Sequence, residues 1–251
     1  MKAVILAAGM GIRLRPMTEH YPKGLIEIDG RTLLECSLDA LKEIGINDVI
    51  IVTGFYSSSI KKKFDGEYNG TKLKYIENDM YSTTGSMYSF SKAKKLINED
   101  ILLLESDLLY DKNALKTLLN SEFRDVILVA ELLNSGDDVY ICTNERNEIT
   151  NLGKKIPEED KKQVLGALVG ISKYSKRFLP KLFKKAEQEF ANNELNYHYE
   201  ETVFATSKLG NPIYAELCKG LNWIEIDNEN DLKRAKEDIY FKIKGSNNGA
   251  N

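Results

Sequence analysis

Ala3-Val4-Ile5-Leu6-Ala7-Ala8-Gly9-Met10-Gly11-Ile12-Arg13-Leu14-Arg15-Pro16 is the stretch on which the fold turns. Its first six residues are apolar without alternation, the pattern of a strand covered on both faces, as in the middle of a parallel sheet. The glycines then let the chain turn sharply at the strand's carboxyl end and bring backbone amides close to an anion. Arg13 adds a planar guanidinium suited to phosphate oxygens. A dinucleotide-binding loop would need a third glycine where this chain has Leu14, and a P-loop would need Gly-Lys-Ser/Thr, which is absent. A plain solvated turn is the reading for an isolated Gly-x-Gly, but Pro16, Thr18, Pro22 and Lys23 follow here, with Lys23 placed as a point charge for a reacting phosphate.

Outward from this loop, Leu33, Leu34, Ser37, Leu38 and Leu41 recur at helical spacing and Gly45 predicts the helix end. Residues 48–53 read as a second buried strand, which makes a right-handed βαβ unit with its loop at the ligand-binding edge. A strand over 72–76, a helix over 85–96 and a strand over 101–105 continue the pattern, so the fold class is doubly wound Rossmann-like α/β. Four shorter strand candidates, 126–131, 139–143, 148–152 and 165–171, predict a small antiparallel extension that makes the sheet mixed and shapes an acceptor pocket. Helices are expected over 175–192 and 229–241. No linker interrupts the chain, so one domain is expected over 1–244, its nucleotide-binding half about 1–125 and its acceptor-binding half about 126–244, with a flexible tail at 245–251.

The 35 basic and 38 acidic residues are intermixed and give a net charge of -3, without the basic excess of a nucleic-acid binder. No segment reaches the ~18 apolar residues of a membrane helix, and the apolar start is too short for a signal peptide, so a cytoplasmic protein is expected, with a homodimer left open. Cys36, Cys142 and Cys218 are widely spaced and read as reduced thiols.

Residues 3–30 resemble the signature of the nucleoside-diphosphate-sugar pyrophosphorylase-like nucleotidyltransferases, G-x-G-x-R-L-x-P-x-T followed by P-K. The resemblance extends more loosely to about residue 240 and implies a GT-A-like sheet. It assigns Arg13 and Lys23 to the triphosphate and acceptor, makes Lys23, Arg13 and Asp107 the catalytic set, and places Leu6, Ala8, Gly9, Met10 and Gly11 against the nucleotide. The hydroxyl-rich loop at 77–87 would line a pyrimidine through Ser82, Thr84, Gly85 and Ser86, where the plain reading is a helix cap.

Glu105-Ser106-Asp107 ends an apolar strand in carboxylates at the edge where α/β folds hold ligands. Asp107 matches the family's metal-binding aspartate, and Glu105 borders the nucleotide. Magnesium uses one or two carboxylates together with substrate phosphates, so a second carboxylate should converge on Asp107. In Trp223-Ile224-Glu225-Ile226-Asp227, alternation puts Trp223, Glu225 and Asp227 on one face; Asp227 resembles the second Mg²⁺ ligand, and Glu225 would face the acceptor.

Among family members the chain is most similar to the cytidylyltransferases for phosphocholine and 2-aminoethylphosphonate. A quaternary ammonium is usually caged by rings, especially Trp, whereas a primary ammonium can donate to carboxylates and hydroxyls. The chain has one Trp, and Tyr199, Glu200 and Glu201 offer hydroxyl and carboxylate, with Lys154 for the phosphonate. The expected reaction is attack by an acceptor oxygen on the α-phosphorus of CTP with release of pyrophosphate. The acceptor arrives largely deprotonated, because a phosphate's second pKa is about 6, so neither His20 nor His198 is required. Phosphocholine as acceptor, a sugar-1-phosphate nucleotidyltransferase and a non-catalytic nucleotide-binding module remain the alternatives.

Overall fold

The computed structural model describes residues 1–132 and 138–248. The apolar start forms the strand Lys2–Ala7, which pairs in parallel with Asp48–Thr53 on one side and Ile101–Glu105 on the other. Thr71–Glu77 extends the parallel part beyond Asp48–Thr53. Alternate residues of Lys2–Ala7 enter different cores: Ala3, Ile5 and Ala7 pack on one face, Val4 and Leu6 on the other. A strand buried on both faces has no polar side to alternate, which is why it reads as a continuous apolar run.

The connecting helix Leu33–Glu43 is fixed at its start by a capping box. Thr32 Oγ1 accepts from the Glu35 amide at 3.2 Å, and Glu35 accepts from the Thr32 amide at 2.7 Å. The expected helix at 85–96 is an α-helix over Ser86–Lys92 followed by a tighter turn over Ala93–Leu96.

Beyond Ile101–Glu105 the sheet becomes antiparallel. Val164–Tyr174 pairs against Ile101–Glu105, Val126–Ala130 and Tyr140–Thr143, and Ile149–Gly153 lies at the edge. The resulting sheet is mixed and doubly wound, as expected. Tyr214–Leu217 was not foreseen; it pairs in parallel with Val126–Ala130, so the extension is not wholly antiparallel. The helices Ser57–Phe64 and Asn113–Asn120 were also not foreseen, and Tyr199–Ser207 forms a further helix.

A small ladder decides where the site forms. Trp223–Glu225 pairs with Leu108–Tyr110, the strand that follows Asp107, and brings the carboxylates of a late segment beside those of Ile101–Glu105. Beneath it Leu14, Leu109, Ile224, Ile226 and Leu232 form a third apolar cluster, which anchors the glycine loop and the last helices together. The final helical stretch runs through a π-turn at Ala235–Ile239 into Tyr240–Asn248. The tail expected from 245 is therefore helical through 248, and 249–251 lie outside the described residues. All three cysteines are unpaired. Among the described residues no helix is long and apolar enough to cross a membrane.

Candidate active site

The carboxyl ends of Lys2–Ala7 and Ile101–Glu105 open into two adjoining cavities of about 310 and 260 Å³. Glu105, Arg13, His198, Glu225 and Asp227 line both, so the two form one cleft with a shared acidic floor.

The glycine loop borders the larger cavity. Gly11 has a left-handed backbone (φ 59°), and a Cβ there would stand 2.8 Å from Lys23 Cγ and 3.2 Å from Thr18 Cγ2. Thr18 Oγ1 donates to the Gly11 carbonyl at 2.6 Å, and buried Leu14 pins the next turn into the core. Leu6, Ala8 and Gly9 lie in the cavity wall, whereas Met10 and Gly11 do not. Gly11 thus shapes the loop and makes room for Lys23 rather than bordering the cavity.

Lys23 Nζ donates to Asp107 Oδ2 at 2.9 Å and to Asp227 Oδ1 at 2.6 Å, and Arg13 pairs with Asp227 Oδ2 at 2.7 Å. Burial works against the Lys23 ammonium, but the charges of Asp107 and Asp227 outweigh it and raise its pKa. Burial likewise opposes the Asp227 carboxylate, and Lys23 and Arg13 overcome it and hold its pKa below the ordinary value. Asp227 is not the helix cap that its place in the sequence allows. Asn228 caps Glu229–Arg234, accepting from the Asn230 and Asp231 amides at 2.9 and 3.1 Å, and this leaves Asp227 to the cations.

A second acidic group stands beside this ion cluster. One carboxylate oxygen from each of Glu105, Asp107 and Glu225 lies within 4.8 Å of the others. Burial, then the charges of Asp107 and Asp227, push the Glu225 carboxyl up to about 8. Burial, Glu225 and Asp107 push Glu105 well above the ordinary carboxylate value. Gly170 (φ 83°) allows this crowding, since a Cβ there would come within 3.0 Å of the Glu105 carboxyl group. Asp107 thus faces both Asp227, through Lys23, and the Glu105–Glu225 pair. Three converging carboxylate oxygens are a donor set suited to a hard divalent cation.

The far end of the larger cavity carries no charge. Tyr81, Thr84, Gly85, Ser86 and Ser89 form it, while Ser82 is exposed and outside the wall. Gly85 is required by close approach: a Cβ would lie 2.2 Å from the Tyr197 carbonyl oxygen. Its amide donates to the Leu195 carbonyl at 2.8 Å, and the Tyr199 amide donates to Ser86 Oγ at 2.9 Å.

The smaller cavity holds Lys154, His198, Glu200 and Glu225 together with Trp223, Asn228 and Arg234. The expected cluster at 199–201 splits, because successive residues of a helix point about 100° apart. Glu200 enters the cavity. Tyr199 is fully buried, and burial with the Glu105 and Glu200 charges raises its phenol pKa far above normal. Glu201 is exposed and caps its own helix, accepting from the His198 amide at 2.7 Å. His198, given no role from the sequence, lines both cavities with Nδ1 3.5 Å from Ser86 Oγ. Arg234 and Asn228 were missed as well; a helix end is their only sequence signal, and only the fold brings them to the cleft.

The chain is similar to several known nucleotidyltransferases. The chain is 27% identical over 238 residues to the choline-phosphate cytidylyltransferase of Streptococcus pneumoniae, covering 94% of this chain and 97% of the relative. It is 30% identical over 220 residues to a UTP–glucose-1-phosphate uridylyltransferase of Haloferax volcanii, covering 86% and 87%. The solved inositol-1-phosphate CTP transferase of T. maritima shares the fold, with a TM-score of 0.81 at 22% identity over 97% of this chain and 96% of that one. The Nucleotidyl transferase family profile matches residues 2–165, well over half the chain, and the protein is a member of that family.

Proposed function

We propose that the protein is a cytidylyltransferase that moves CMP from CTP onto a small zwitterionic phosphonate or phosphate, with 2-aminoethylphosphonate as the preferred acceptor. The composition of the smaller cavity carries this reading: Glu200 stands there with Lys154 and Arg234, so both ends of a zwitterion find a partner. Apart from His198, Trp223 is the one aromatic side chain in that wall among the described residues, which favours a primary ammonium over one needing a cage of rings. The likeness to a choline-phosphate cytidylyltransferase supports a zwitterionic acceptor and CTP, and keeps phosphocholine as the second reading.

In the proposed reaction an acceptor oxygen attacks the α-phosphorus of CTP in line and pyrophosphate leaves. Lys23 and Arg13, at the charged end of the larger cavity, neutralise the phosphate oxygens, and Glu200 orients the ammonium. The converging oxygens of Glu105, Asp107 and Glu225 fit Mg²⁺, and Asp107 would hold it; Asp227, the second ligand that the resemblance implies, stands outside that set, paired with Lys23 and Arg13. A bound Mg²⁺ would supply charge neutralisation on the triphosphate. Leu6, Ala8, Gly9, Thr84, Gly85 and Ser86 would border the nucleotide.

Pyrophosphate release tests this reading, with and without Mg²⁺, for CTP and UTP against 2-aminoethylphosphonate, phosphocholine and glucose 1-phosphate. Release with CTP and an amine-bearing acceptor is the expected result. Release with UTP and the sugar phosphate would overturn it, as would turnover undiminished by EDTA for the metal.

A further inference from the structure

The uncharged end of the nucleotide cavity has a fixed hydrogen-bond polarity. Asn78 follows the strand Thr71–Glu77 and is fully buried. The Met80 amide donates to Asn78 Oδ1 at 3.0 Å, so the oxygen must face Met80 and the NH₂ group must face away. Asn78 Nδ2 then donates to Thr84 Oγ1 at 3.0 Å and to Ser89 Oγ at 2.9 Å. Thr84 has a single hydroxyl hydrogen, and it goes to the Met80 carbonyl at 2.8 Å. One of the two lone pairs on Oγ1 is taken by Asn78. Thr84 thus keeps one lone pair and no hydrogen for a further partner, whereas Ser89, which accepts from Asn78, keeps both a hydrogen and a lone pair; both residues line the cavity.

A hydroxyl fixed as an acceptor selects a base edge by polarity rather than size. Cytosine presents its 4-amino group as a donor next to a ring nitrogen that accepts; uracil carries an accepting oxygen and an N–H donor at the same two positions. We propose that Thr84 Oγ1, its hydrogen held by the Met80 carbonyl and Asn78 donating beside it, accepts from the cytosine 4-amino group and is the determinant of base specificity, with Ser89 donating to N3. The inference rests on the CTP reading and names the side chains that enforce it. Asn78 is a positioning residue, acting on the base only through the two hydroxyls. A uracil in the same orientation would set lone pair against lone pair at Thr84, and that mismatch cannot rotate away while the Met80 carbonyl holds the Thr84 hydrogen; Ser89, with a hydrogen and a lone pair left, serves either base.

The test measures binding and turnover of CTP, UTP and pyrimidin-2-one riboside triphosphate, which is CTP without its 4-amino group. In the wild type, loss of the amino group should weaken binding by about tenfold or more. Thr84→Val should bring CTP down to the level of the deaminated analogue and leave the analogue unchanged, while Thr84→Ser should keep the discrimination. Asn78→Ala removes the acceptor of the Met80 amide and so loosens the turn that holds the Thr84 hydrogen on the Met80 carbonyl, so UTP should gain on CTP. If folded Thr84→Val discriminates against the analogue as the wild type does, or if Asn78→Ala weakens CTP and UTP equally, this inference is overturned and the CTP reading stands. A wild-type preference for UTP would overturn both.

Discussion

Along the proposed nucleotide side of the cleft much of the wall comes from short stretches at the ends of strands: residues 6–9 after the first strand, Tyr81, Thr84–Ser86 and Ser89 after Thr71–Glu77, and 105–107 at the end of Ile101–Glu105. The proposed acceptor side shares the stretch 223–228 and completes it with single side chains, Lys154, Glu200 and Arg234, brought from separate parts of the sequence. A continuous stretch carries its own geometry, so its chemistry is local. Dispersed side chains depend on the whole fold to meet. The first kind of wall suits the part of a substrate common to all nucleoside triphosphates; the second can be altered one residue at a time to change the acceptor.

The sharpest way to break this contrast is Lys23→Ala. Removing the cation that joins Asp107 to Asp227 should lower turnover by about 10²–10³-fold with any acceptor, read as pyrophosphate release from a protein whose circular dichroism is unchanged. A loss confined to one acceptor would assign Lys23 to the acceptor side.

The shared acidic floor should appear next, as a pH dependence. Glu225 is pushed up to about 8 in the folded chain, above the ordinary value for glutamate. A carboxyl raised on folding contributes stability that is complete below its unfolded pKa and is lost as pH rises through its folded one. The metal-free protein should therefore lose stability between the usual glutamate range and pH 8, and Glu225→Gln should flatten that decline in thermal melts. An unchanged slope would remove Glu225 as its source.

Gly85→Ala should cost about 1–3 kcal/mol in denaturant unfolding, because the new methyl group meets backbone rather than a side chain that can move. Last, Glu200→Gln should raise KM for an amine-bearing acceptor by about tenfold, the worth of one charge-assisted hydrogen bond, with KM for CTP unchanged. If both constants moved together, the two sides would not be independent walls.

The same contrast explains what could be read from the sequence. The run at 3–8 and the leucines of Leu33–Glu43 are repeated local signals, and the parallel half of the sheet followed from them. Ser57–Phe64 escaped notice because only Ile60 and Phe64 supply its apolar face, and Tyr214–Leu217 because a four-residue strand shows little alternation. In the cleft, Asp107, Glu225 and Asp227 could be singled out as carboxylates at strand ends, but that Glu105 joins Asp107 and Glu225 in one cluster follows from the pairing of Trp223–Glu225 with Leu108–Tyr110. Tyr199 and Glu201 have the right chemistry and the wrong direction, since a helix start turns each residue to a different side. Asn78 is seen to matter only once its three hydrogen bonds are known.

The close approach at Gly85 bears on how such enzymes can be recombined. The Gly85 amide reaches the Leu195 carbonyl, the Met87 amide the Tyr197 carbonyl at 3.2 Å, and the Tyr199 amide Ser86 Oγ. The segment proposed to face the base and the segment that carries Glu200 are thus stitched together along their backbones, though more than a hundred positions of chain lie between them. A chimera that imports the acceptor helix of a relative while keeping the native 84–87 stretch inherits a seam cut for a different partner. Acceptor preference can be transplanted between members of this family only if both edges of that seam travel together.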